Sequence, residues 1–380
     1  MVNAKIYKFL ICILLVIVHI SCKKNSYISE VNPKANSKMV LVYMEANNNL
    51  KSDAMACINA MENGFVDIDG VLLVYIKSTN GKSYLLKIKH DLYNKTIISD
   101  TVKVFENEDL SNPIFLKSVI EYSQMKYPAD SYGLILWSHA TSWAPPKLSK
   151  ANVESFGSDR GKEMDIIELK NALPDNFDFI IFDACSMASL EVVYEFKDKA
   201  KYIIASPSET IAESFPYQKI TPFLFGNSDN LKRVAIEYFN HYNAYKGDMQ
   251  SGTISLVKTS ELKPLADKLS FLIQNYKKNG EYFISKDVQR MDFSDDFPVA
   301  AYDFGDFLRK NFDSSLLMDI QSQLDNTILY KSSTSHFLGK PIINFSGVTC
   351  YIPLEGDENL SYYKRLSWYS YSGLHFLYEK

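Results

Sequence analysis

The sequence predicts an α/β protein, a sandwich with helices on both faces of a mostly parallel central sheet, continued at its carboxyl end by an α+β subdomain. Three observations carry this. Five near-continuous apolar runs, at 39–44, 71–76, 132–137, 177–182 and 202–205, read as strands buried on both faces, as parallel sheets require. Segments of helical spacing at 50–61, 113–125, 164–172 and 190–196 fall between them, and such alternation marks a doubly wound architecture. Two of the runs also end on reactive side chains: the first leads into Ser138-His139-Ala140, the second into Asp183-Ala184-Cys185. Open α/β sheets place their sites at the carboxyl edge of the strands, so the two side chains are expected side by side.

Taken in order, the chain opens with an export segment. Lys5 and Lys8 precede the apolar stretch 9–20, which has the length of a signal-peptide core and is too short to favour a spanning helix. Ser21-Cys22 follows directly and resembles the lipobox of bacterial lipoproteins, although His19 stands where leucine is usual. Residues 1–22 are therefore read as a lipoprotein-type signal peptide with Cys22 as the acylated residue. Residues 23–37, rich in Lys, Asn and Ser, read as a flexible tether. The expected location is the bacterial cell envelope, held by the lipid to the outer membrane on its periplasmic or surface face.

The sandwich is expected over 38–255. Segments 83–90 and 97–104, separated by polar turn residues, add a hairpin to its sheet. Residues 140–163 form the longest connection in the centre of the sheet, and a loop of that length is usually functional. It carries Lys147, Lys150 and Arg160. The companion subdomain is expected over 256–380, with helices at 261–276, 302–310 and 315–330, a strand at 348–352 and an aromatic-rich end at 368–378.

Composition narrows the function. The chain has 380 residues, 46% hydrophobic and 23% charged, enough for a substantial core. A net charge of −4 without a basic block argues against a nucleic-acid partner. Cys12 and Cys22 belong to the export segment, which leaves Cys57, Cys185 and Cys350, an odd number that no disulfide framework accounts for. Cys57 and Cys350 sit in helical and strand-like apolar patterns and read as core. Neither the Gly-x-Ser-x-Gly elbow of serine hydrolases nor the His-Glu-x-x-His helix of zinc peptidases is present, and no metal site is predicted.

A thiol and an imidazole at neighbouring strand ends are the basic unit of cysteine nucleophilic catalysis. Around them the sequence resembles the clostripain family of cysteine peptidases, family C11 of clan CD. The resemblance lies in Leu134-Ile135-Leu136-Trp137-Ser138-His139 with Trp143, in Asp183-Ala184-Cys185-Ser186-Met187-Ala188, in Ala205-Ser206-Pro207-Ser208-Glu209, and later in 252–257, 302–307 and 346–353. It implies a caspase-like fold, protein or peptide substrates, and cleavage after Arg or Lys. Cys185 would be the nucleophile, and His139 would serve the leaving group and favour the thiolate. The backbone N–H groups of Cys185 and Ala140 would hold the oxyanion, and Asp183, with Glu213 as a second wall, would form the S1 pocket. Self-cleavage is expected after Lys147, Lys150 or Arg160, with Lys150 first. No cofactor is required; calcium, to which some relatives respond, has no Asp/Asn/Gly-rich loop here.

Two departures bear on activity. Ala140 stands where the family has Gly; if that position takes positive φ, alanine costs about 1 kcal/mol. Segment 211–217 lacks the glycine-rich, tryptophan-bearing turn of relatives. The competing expectation is a weak or inactive surface lipoprotein that keeps the fold and binds peptide or glycan.

Overall fold

A computed structural model of the chain describes residues 37–77, 81–93, 96–106, 109, 111–144, 156–159, 162–278, 281–294, 297–354 and 356–378. Cys22, Lys147, Lys150 and Arg160 lie outside the described residues.

A nine-stranded sheet runs through the molecule. Its strands are β1 (Met39–Met44), β2 (Val71–Lys77), β3 (Lys82–Lys87), β4 (Asp100–Glu106), β5 (Tyr132–Trp137), β6 (Phe177–Asp183), β7 (Ala200–Ala205), β8 (Thr253–Lys258) and β9 (Ile328–Ser333). Their order is β9-β8-β7-β6-β5-β1-β2-β3-β4. The five inner strands β2, β1, β5, β6 and β7 are parallel, and the β3–β4 hairpin and β8–β9 add antiparallel strands at the two edges. Every residue of β1 and β2 is buried, which explains why these strands read as unbroken apolar runs rather than alternating ones.

The strand period of two divides each strand between two cores. Met39, Leu41 and Tyr43 join one cluster with helices α2 (Pro113–Lys126), α3 (Ile166–Ala172) and α4 (Leu190–Glu195), whereas Val40, Val42 and Met44 join the other with α1 (Lys51–Gly64). Local chemistry starts these helices. Asn112, Asp165 and Ser189 each accept backbone N–H groups at an N-terminus, and Pro113 occupies a first-turn position where its missing donor costs nothing. On α1, Ala54, Cys57, Ile58 and Met61 face the sheet; burying each of the larger apolar side chains contributes about 2 kcal/mol.

Four segments depart from the sequence expectation. The boundary expected at 255/256 falls inside β8, and the chain beyond it returns β9 to the same sheet. An unpaired β8 would expose a row of backbone donors and acceptors, and β9 removes that edge. The helix expected over 315–330 therefore stops early as Met318–Thr327, because Ile328 and Tyr330 pair with β8, with Leu329 at the irregularity between them. Residues 206–252, where no element is predicted, contain the helices Tyr217–Ile220 and Ser228–Asn243. The strand expected at 348–352 is a two-residue ladder, Thr349–Cys350 against Tyr302–Asp303.

Candidate active site

Parallel pairing places the two reactive residues on one edge. Trp137 of β5 lies opposite Asp183 of β6, and the Ser138 N–H extends the ladder to the Asp183 carbonyl at 3.3 Å. His139 and Cys185 therefore stand two residues beyond the same rung. Strand β1 supplies a third wall: its Met44 pairs with Trp137, and the Glu45 carbonyl accepts the Ser138 hydroxyl at 2.9 Å.

His139 is half-buried, and its Nε2 lies 2.7 Å from the side-chain oxygen of Asn49. Burial lowers its pKa, which favours the neutral imidazole. The His139 carbonyl accepts the Gly157 N–H at 2.9 Å, so the small hairpin Phe156–Asp159/Lys162–Met164 folds back against the strand end. Gly157 has φ +84°, and a Cβ there would overlap the Glu45 carboxylate; glycine is required on both counts.

Cys185 sits in a sharp turn. Ser186 has φ +59°, and the N–H groups of Ser186 and Ala188 donate to the carbonyls of Ser208 and Ser206. The sulfur is engaged by one residue: the Thr210 N–H donates to Sγ at 3.3 Å, and the Thr210 hydroxyl lies 3.5 Å away. Burial raises the thiol pKa against the opposing pull of the Thr210 contacts, and Glu209 and Asp183 add to the rise. That direction favours the thiol over the thiolate. No hydrogen bond joins His139 to Cys185 among the described residues; each has another partner. Among the same residues the N–H groups of Cys185 and Ala140 have no acceptor. Ala140 is not at positive φ; that conformation falls on Ser142, at +63°, so the anticipated alanine strain is absent.

Asp183 is buried beneath this edge. Its Oδ2 accepts the Ser214 hydroxyl and, at 2.7 Å, the Tyr217 hydroxyl. Burial nevertheless dominates and pushes its pKa up to about 6. Ser214, itself at φ +71°, also receives the Trp137 indole N–H at 2.9 Å and offers its carbonyl to Tyr242. Beside this cluster is a cavity of about 350 Å³ lined by Asp53, Cys57, Glu213, Phe215, Tyr217 and His241, among others. Glu213 reaches it from the rim, accepting from the Tyr245 hydroxyl at 2.7 Å with His241 at 3.7 Å. Cys57 is buried as expected, its pKa pushed up to about 12, but it also lines the cavity. Cys350 is buried and all three thiols are free.

Sequence reasoning missed Asn49, Asp53, Thr210 and Ser214. The Asn47-Asn48-Asn49 run directly after β1 was the available signal for the first, since polar residues at that edge face the site. Thr210 carries none: the resemblance stops at Glu209. That glutamate accepts the backbone N–H groups of Phe293 and Ser294 at 2.9 and 2.6 Å, tying the strip beside Cys185 to a distant loop. Among the described residues no cluster of three or more His, Cys, Asp or Glu could hold a metal ion, and no helix is long and apolar enough to cross a membrane.

Known proteins share this arrangement of chain. A secreted C11 cysteine protease from Bacteroides thetaiotaomicron, solved with an irreversible peptide inhibitor, superposes with a TM-score of 0.75 at 26% identity, covering 89% of this chain and 99% of that one. An inactive zymogen C11 protease from Parabacteroides distasonis gives 0.76 at 29% identity, covering 90% and 99%. Clostripain of Hathewaya histolytica is 27% identical over 228 residues, which are 50% of this chain and only 43% of clostripain's length. The fold is thus the caspase-like one the sequence implied. With the clostripain family profile matching residues 42–370, which include both strand ends, the chain belongs to the clostripain family, C11, of cysteine peptidases.

Proposed function

We propose that this protein is a cysteine endopeptidase that cleaves after Arg or Lys. The observation that supports it most is the emergence of His139 and Cys185 from adjacent parallel strands, two residues past a shared rung. Sγ of Cys185 attacks the scissile carbonyl, and the carbonyl oxygen takes the electron pair as an oxyanion. The N–H groups of Cys185 and Ala140, without acceptors among the described residues, suit that charge. His139 delivers the proton to the departing amine, and water then releases the acyl group from sulfur. Glu213 and Asp53 supply negative charge at the cavity, whose apolar walls suit the aliphatic stem of a basic side chain, and Asp183 lies buried behind its wall residue Tyr217.

The protonated, Thr210-engaged sulfur is the expected state of a resting form. We infer self-processing in the 140–163 loop, after Lys150 before Lys147 or Arg160, as the step that activates it, and lipid anchoring through Cys22 to the cell envelope. A binding protein built on the same fold is the alternative, but its strain argument at Ala140 is removed.

Fluorogenic peptides ending in Arg, Lys, Asp or Ala, tested with and without calcium and reductant, decide between them. Cleavage after Arg or Lys that disappears in Cys185→Ala is expected; no turnover, and no labelling of Cys185 by a basic activated ketone, would leave only a binding role. Intact mass read on both proteins should show a lipid adduct at Cys22 in each and a cut after Lys150 in the wild type alone. A cut persisting in the variant would exclude self-cleavage.

A further inference from the structure

We propose that Asn49 is the positioning residue of the catalytic histidine: its side-chain oxygen holds His139 as the Nε2–H tautomer and leaves Nδ1 to carry the proton during peptide cleavage. The inference rests on the peptidase reading above and adds a third side chain to the pair. Its basis is the 2.7 Å contact between Asn49 Oδ1 and His139 Nε2. An amide oxygen only accepts, so the ring nitrogen facing it must donate. Nδ1 then bears the lone pair of the neutral ring, and it has no hydrogen-bond partner among the described residues.

The surroundings show that this contact is not the by-product of a turn. Asparagines after a strand usually spend their side chains on nearby backbone. Here Asn48 does that work: its Oδ1 accepts the Leu50 N–H at 2.9 Å and its amide donates to the Glu45 carbonyl at 3.1 Å. Asn49 is left with His139 as its hydrogen-bond partner among the described residues, 90 positions along the chain. The two are fixed to one frame, because the Glu45 N–H donates to the Trp137 carbonyl at 3.0 Å and the Glu45 carbonyl receives both Asn48 and Ser138. Helix α1 starts at Lys51 without a side-chain cap, so Asn49 is not held there by capping either.

The chemistry explains an amide at this place. During cleavage Nδ1 gains a proton from the thiol and loses it to the leaving nitrogen, while Nε2 keeps its proton throughout. The Asn49 carbonyl dipole steadies the imidazolium between those transfers without adding a full charge. A carboxylate would raise the histidine pKa and hold the ring protonated at neutral pH.

The test compares full-length wild type, Asn49→Ala and Asn49→Asp on an Arg peptide across pH, with ¹⁵N-histidine NMR on the Cys185→Ala background. Asn49→Ala should lower kcat about 100-fold with little change in KM, the scale expected when a proton-transfer residue loses its orientation. Asn49→Asp should stay slow at neutral pH and recover most of that rate only at alkaline pH, its acidic limb moved to higher pH, a shift that a purely structural contact would not produce. The His139 ring should show the Nε2–H tautomer in Cys185→Ala and lose that preference when Asn49 is also replaced. An unchanged kcat and pH profile in Asn49→Ala, or an Nδ1–H ring with Asn49 present, overturns the proposal. If the wild type cleaves nothing, the peptidase reading fails, and the NMR tautomer alone still decides whether Asn49 holds His139.

Discussion

Asp183 shows how one residue's environment sets a measurable behaviour. Its carboxyl is buried under the strand edge and pushed up to about 6 despite two hydroxyl donors. Below that pH it carries no charge with which to read a basic side chain. The ratio of kcat/KM for an Arg peptide over a matched norleucine peptide should therefore fall as pH drops through about 6, and using a ratio cancels the titration of His139, which both substrates share. Tyr217→Phe removes a hydrogen bond to the ionised form, so the midpoint should move to higher pH; a ratio flat from pH 5 to 8 would remove Asp183 from specificity. The placement of Cys185 and His139 at one sheet edge was legible because each follows an apolar run. Ser214 and Thr210 were not, since a hydroxyl in a loop gains its meaning from what it meets.

Among the elements, the strip 206–217 is the one whose position decides the state of the site. Thr210 touches the sulfur, Ser214 holds Asp183, and Glu213 lines the cavity. The strip is fastened from outside the sheet: Glu209 accepts from Phe293 and Ser294, and Ile211 packs against the cluster of Met291, Phe293 and Phe337. Glu209→Ala leaves these backbone donors without their acceptor, at a cost of about 1–3 kcal/mol for each that stays buried. The variant should exchange amide hydrogens faster at 209–214 and 291–294, and Cys185 should alkylate faster as Thr210 is loosened from it. Equal alkylation rates in the two proteins would show that the fastening does not control the sulfur. The strands of the parallel core followed the apolar pattern closely, whereas the helix expected to reach Tyr330 was cut short by pairing with β8, a non-local partner that no local period reveals.

In the whole molecule, the carboxyl-terminal chain completes both the sheet and the helical layer over it, and Glu191 of α4 is one pin between them. Its Oε1 accepts the Tyr351 N–H at 2.9 Å and the Tyr363 hydroxyl at 3.0 Å, in full burial that pushes its pKa up to about 8 from an ordinary 4.5. The folded state thus holds this proton more tightly than the unfolded chain. That contribution is complete below pH 4.5 and is lost as pH rises through about 8. Glu191→Gln, which cannot ionise, should gain stability relative to wild type steadily over this window and hold the gain above it, measured by urea unfolding at pH 5, 7 and 9. A constant difference at all three would mean that Glu191 is not neutral in the folded protein. The sequence by itself determined the parallel core and the arrival of a histidine and a cysteine at one edge of it, because burial on both faces and strand polarity are written in local apolar runs. Only the tertiary structure decided that Asn49 faces the histidine, that Thr210 occupies the sulfur, that Asp183 is buried among hydroxyls, and that one sheet spans the chain from β1 to β9. Those outcomes depend on contacts between residues tens to hundreds of positions apart, whose geometry is fixed by packing and register rather than by neighbours in the chain.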